Sequence, residues 1–64
     1  MGVDSRRIIK ALERNGWRLA RVRGDHHNFK HPANPNTVTV THPRRDVPIG
    51  LIKSIERKSG LKLR

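Results

Sequence analysis

The runs WRLARVR (residues 17 to 23) and HHNFKH (26 to 31) are joined by Gly24 and Asp25 alone, and this link restricts the fold more than any other feature. Two extended segments so close together pair as an antiparallel hairpin. Glycine at the first linking position suits a type II′ turn, which needs positive φ there. The turn also sets a register in which Arg23 lies opposite His26, Val22 opposite His27, Arg21 opposite Asn28 and Ala20 opposite Phe29. Directly opposite residues share a face of the sheet. One face then reads Ala20, Val22, His27 and Phe29 and is the one expected beneath helices. The other reads Arg21, Arg23, His26, Asn28 and Lys30 and is left to solvent or a ligand. Trp17 and Leu19 break the alternation, which points to a bulge or edge packing near the start of the first strand.

Around this hairpin the remaining elements follow from periodicity and capping. Asp4 or Ser5 can start a helix over about residues 4 to 15, gathering Ile8, Ile9, Ala11 and Leu12 on one side and turning Arg6, Arg7, Lys10, Glu13 and Arg14 to water. With Asp4 as the cap, Val3 and Ile8 occupy the two hydrophobic-staple positions. Asn15-Gly16 supplies a left-handed stop, after which Trp17 can fold back on Leu12. Residues 32 to 36 (PANPN) read as a polar, proline-rich loop, and 37 to 42 (TVTVTH) as a third strand with Val38 and Val40 inward. Beyond the basic turn Arg44-Arg45-Asp46, Pro48 suits the first position of a helix with Ile49, Ile52 and Ile55 at helical spacing. Gly60 closes that helix, and Leu61 can pack back on Ile55. The order is α-β-β-β-α, an α+β domain in which two helices pack on one face of a three-stranded antiparallel sheet. No repeat, linker or low-complexity segment interrupts it, and residues 1–64 are expected to form a single domain.

Composition narrows the function. Fifteen Lys and Arg against five Asp and Glu give a net charge of +10, spread along the chain among regularly spaced apolar residues, so a folded basic domain with an anionic partner is expected. With no cysteine, neither a disulfide framework nor a thiolate metal site is available. No apolar run approaches the ~18 residues that span a bilayer, and no apolar signal-peptide core opens the chain. A cytoplasmic protein without a membrane role is the expectation. The four histidines do not read as a metal site. His27 and His31 are four apart, which brings ligands together on a helix but sets them ~13 Å apart on a strand. His26 and His27 point to opposite faces, and no HExxH motif or carboxylate cluster accompanies them.

His26 stands apart because the register puts it on the open face with Arg21, Arg23 and Lys30. Arginine forks and lysine can hold a phosphodiester, and an imidazole among them can act as a general base. RNA carries its own nucleophile in the 2′-hydroxyl, so one histidine with cationic stabilisation of the developing charge can cleave the backbone without a metal, whereas DNA offers no such route. Read from the residues alone, His26 is either this base or a surface histidine that starts a strand. His27 shares its face with Val22 and Phe29 and reads as a partly buried, hydrogen-bonded core-edge residue. His31 and His42 read as half-buried strand positions.

At GDHHNFKHP the sequence resembles the HicA toxin family, small RNA endonucleases of bacterial and archaeal type II toxin-antitoxin systems. NGWRL (15 to 19), Val22-Arg23-Gly24, Val38-Thr39-Val40, His42-Pro43 and Pro48-Ile49-Gly50 follow in family order and spacing, so the resemblance covers residues 4 to 61. It implies a double-stranded-RNA-binding-domain-like fold and ribosome-independent cleavage of mRNA by a histidine, with no cofactor and no metal. In the family the catalytic position is the first of the paired histidines, which is His26 here, and Gly24 corresponds to the turn glycine. The implied partner is a HicB-type antitoxin that occludes the active face. Asp25 stands where serine is frequent and Thr41 where proline is common, and neither change removes a residue with an assigned role. On this reading Arg21, Arg23 and Lys30 bind phosphate, and Arg44, Arg45 and Lys53 are outer RNA contacts. A non-catalytic RNA-binding module of the same fold and a basic architectural DNA-binding protein are the alternatives.

Overall fold

The computed structural model describes residues 2–64 and runs α1 (Ser5–Arg14), β1 (Arg18–Arg23), β2 (His26–His31), β3 (Asn34–Thr41) and α2 (Ile49–Ser59). The strands form one antiparallel sheet in the order β1-β2-β3, so β2 is central. Ile8 and Leu12 of α1, Phe29 of β2, Val38 and Val40 of β3, and Ile52 and Ile55 of α2 form the core with Trp17 and Val47. Both helices thus lie on one face of the sheet, in the two-layer, double-stranded-RNA-binding-domain-like arrangement expected from the sequence. None of the described helices is long and apolar enough to cross a membrane.

Asp4 caps α1, its carboxylate accepting from the backbone N–H of Arg6 at 2.9 Å. The Arg6 guanidinium closes on the same carboxylate at 3.0 Å. The side-chain and then the backbone hydrogen bond from Arg6 lower the Asp4 pKa from the ordinary 3.8 to about 2. Because folding depresses this pKa, the cap's contribution is fully present above 3.8 and is lost as pH falls through about 2. Asp4→Asn is therefore expected to flatten the acid limb of thermal melts recorded across that window.

At its other end α1 closes in a Schellman motif. The Gly16 N–H donates to Glu13 O at 3.1 Å and the Trp17 N–H to Leu12 O at 2.9 Å, with Gly16 at φ +90°. The indole of Trp17 is buried and tilts against His31 with ring centroids 5.3 Å apart. His31 Nδ1 accepts from the Ala33 N–H at 2.9 Å, and its Nε2 lies 3.0 Å from Asn15 O. His31 therefore fastens the helix-strand junction to the β2-β3 turn, a structural duty in keeping with its expected half-buried position.

Both ends of β3 and the start of α2 differ from the sequence reading. β3 begins at Asn34, not at residue 37, because Asn34 pairs with His31 across a turn of only Pro32 and Ala33. Pro35 is tolerated there because β3 is an edge strand. The amides of Asn34 and Asn36 both donate to Lys58 O at 3.0 Å, which ties this end of β3 to α2. His42 falls just outside β3, its N–H donating to Asp25 O at 2.8 Å. Pro48 is the N-cap of α2 and not its first residue, and Ile49 is 47% exposed. The buried apolar residue at this corner is Val47, whose N–H donates to Val3 O at 2.9 Å.

Candidate functional site

Gly24 has φ +60° and Asp25 does not have positive φ, the pattern of a type II′ turn. A side chain at Gly24 would meet nothing within 4 Å, so it is the backbone conformation that calls for glycine. The pairs nearest the turn are those read from the sequence: Arg23 with His26, Val22 with His27, Arg21 with Asn28. Further along the register shifts, and Phe29 pairs with Leu19 and not with the expected Ala20. The extra residue in β1 is Ala20. This bulge puts Leu19 on the helix side with Phe29 and puts Arg18, opposite Lys30, on the open face.

The open face therefore holds Arg18, Arg21 and Arg23 on β1, His26, Asn28 and Lys30 on β2, and Thr39 and Thr41 on β3. His26 sits between Arg23 and Thr41 in one row across the three strands. In the next row Thr39 Oγ1 donates to Asn28 Oδ1 at 2.6 Å. The His26 side chain is 62% exposed, with Nε2 3.5 Å from Asp25 Oδ1. Among the described residues the ion pairs are Arg6 with Asp4, His26 with Asp25, and Arg64 with Glu56. Arg18, Arg21, Arg23 and Lys30 thus have no carboxylate partner. Four unneutralised cations along the face that carries an accessible imidazole, with Arg23 directly opposite it, suit a polyanion.

His27 takes the opposite face, half-buried as expected. Among the described residues its ring makes an edge-to-face contact with His42, centroids 4.9 Å apart, in place of the expected hydrogen bond. The helix side was expected to cover Ala20 and Val22 as well, but Ala20 is exposed and Val22 is 51% exposed. The apolar stripes of α1 and α2 converge on Phe29, Val38 and Val40, and β1 contributes no residue to that core.

Arg44 and Arg45 are brought to the His26 end of the sheet, since the β3-α2 connector starts against the hairpin turn through the His42 to Asp25 bond. Ser5 holds that connector. Fully buried, it accepts from the Arg44 N–H at 2.9 Å, contacts His42 Nδ1 at 2.8 Å, and donates its own N–H to Arg44 O at 2.8 Å. Both arginine side chains stay exposed. Lys53 lies on α2 in the other layer and is not brought onto the open face. Sequence reasoning missed Arg18 and the clamp made by Ser5. The disturbed alternation at Trp17 and Leu19 was the available signal for Arg18, whereas nothing local marks Ser5 as more than a capping residue. Among the described residues no three His, Asp or Glu side chains come together as a metal site.

No curated protein matches the chain. A family model described as the HicA toxin of bacterial toxin-antitoxin matches residues 5–61.

Proposed function

The chain belongs to the HicA toxin family, and from that premise we propose that it is a metal-independent endoribonuclease that cleaves mRNA at the open face of its sheet. The observation that supports this reading is the exposed imidazole of His26, in line with Arg23 and Thr41 on a face that also carries Arg21, Arg18 and Lys30 without carboxylate partners among the described residues. His26 takes the proton of a 2′-hydroxyl, and the oxygen attacks the adjacent phosphorus as the bond to the 5′-oxygen breaks. The products are a 2′,3′-cyclic phosphate and a 5′-hydroxyl, the leaving oxygen taking up a proton from solvent. Asp25 faces Nε2, so Nδ1 is the nitrogen offered to substrate. Arg18, Arg21, Arg23 and Lys30 hold the phosphates and stabilise the charge that builds on them. Arg44 and Arg45 extend the contact past the turn, and Lys53 serves RNA that continues around α2. A HicB-type antitoxin covers the same face and silences it.

Incubating the purified chain with a transcript and with DNA of the same sequence, chelator present throughout, tests this. RNA alone should be cut. Binding of RNA without product would favour a non-catalytic module, and equal affinity for duplex DNA with no RNA product would favour an architectural protein. The bulge adds a specific expectation. Arg18→Gln should lower the slope of log affinity against log salt by about 0.7, the contribution of one phosphate contact to single-stranded nucleic acid. A slope equal to wild type would remove Arg18 from the interface.

A further inference from the structure

The two edges of the sheet are guarded differently. β3 carries Pro35, lies under both helices and is tied to α2 through Asn34 and Asn36. β1 has no such protection: all six of its residues are exposed, it contains no proline, and no described segment pairs with its outer side. Along ~20 Å it presents free backbone N–H and C=O groups, the template onto which an extended segment adds.

The side chains along that edge specify what would add. On the helix side Leu19 and Val22 stay 49% and 51% exposed, while on the open side stand Arg18, Arg21 and Arg23 with no acidic partner among the described residues. We propose that the outer edge of β1 is the docking site for an acidic amphipathic strand of a protein partner, which joins the sheet as a fourth strand. Its apolar residues lie beside Leu19 and Val22, and its alternating carboxylates reach the three arginines. A nucleic acid has neither an amide ladder for the edge nor apolar groups for Leu19 and Val22. A second copy of this chain would set its own arginine row against this one. Because Arg23 lies opposite His26, the docked strand also draws cations away from the imidazole and blocks substrate. That last consequence rests on the ribonuclease reading, whereas the docking does not.

The test is an NMR titration of the full, isotope-labelled chain with a short peptide of alternating valine and glutamate. The control is a peptide of the same composition with its valines and glutamates in two blocks. The alternating peptide should perturb the amides of residues 18–23 and bind about tenfold more tightly than the block peptide. The double variant Leu19→Lys/Val22→Lys should lose about tenfold in peptide affinity. Should that variant fail to fold, Val22→Lys alone is read in its place, with a smaller loss in the same direction. Equal binding of the two peptides, perturbations confined to the helices, or no binding would overturn the proposal. These readings need no catalysis. A chain that bound the peptide at β1 yet left RNA intact would retain the docking site and lose the ribonuclease.

Discussion

Replacing His26 with alanine is expected to slow RNA cleavage by about 10²- to 10⁴-fold, the usual contribution of a general acid-base group. Growth arrest on induction should disappear with it. The fold should not suffer, because the side chain is 62% exposed and among the described residues its ion-pair contact is the loose 3.5 Å approach to Asp25. Substitutions at such positions change stability by no more than about 0.5 kcal/mol. The comparison with His27→Ala is the informative control. His27 lies on the other face against His42, so its loss should be felt mainly in stability. If His26→Ala cleaves and arrests growth as the wild type does, His26 is not the catalytic group. Loss of wild-type activity on adding chelator would point to a metal.

The second large effect concerns the core. Phe29 is the only phenylalanine in the chain, is 1% exposed, and lies on the central strand between Leu19 and Val38. Phe29→Ala removes about 3–5 kcal/mol by lost transfer energy and the cavity left behind. A domain of this length has a total stability near the low end of about 5–15 kcal/mol. The variant should therefore lack a cooperative urea transition at 25 °C. Leu19→Ala, on the same face but half exposed, should cost under about 1 kcal/mol and retain a sharp transition. A Phe29→Ala midpoint equal to wild type would contradict the burial of Phe29 within the core.

How far the sequence could be read depends on whether a feature is set locally. The two-residue turn dictates its nearest pairs, so the separation of His26 from His27 onto opposite faces was legible in the sequence. The pattern signalled a bulge further along β1, but not that Ala20 is the extra residue, and that choice decides where Arg18 and Leu19 point. Val38, Val40, Ile52 and Ile55 announce themselves by spacing. Val47 does not, because it stands alone between Asp46 and Pro48 and is buried by pairing with Val3, far away in sequence. Asn34-Pro35-Asn36 has the composition of a loop and becomes strand because an edge position excuses the proline. The exposure of Val22 was illegible for a related reason: alternation tells which side a residue faces, not how far the helices on that side extend. The open face and the place of His26 on it were legible from parity, whereas singling that histidine out for catalysis came from the family resemblance.

The most direct test of a 2′-hydroxyl attack assisted by His26 is to map one bond cut in an all-ribose oligonucleotide, then remove only the 2′-hydroxyl on its 5′ side. With chelator present, cleavage at that bond should cease while binding stays unchanged. Cleavage that persists at the deoxy position would mean that water or another group attacks the phosphorus, and would contradict the mechanism.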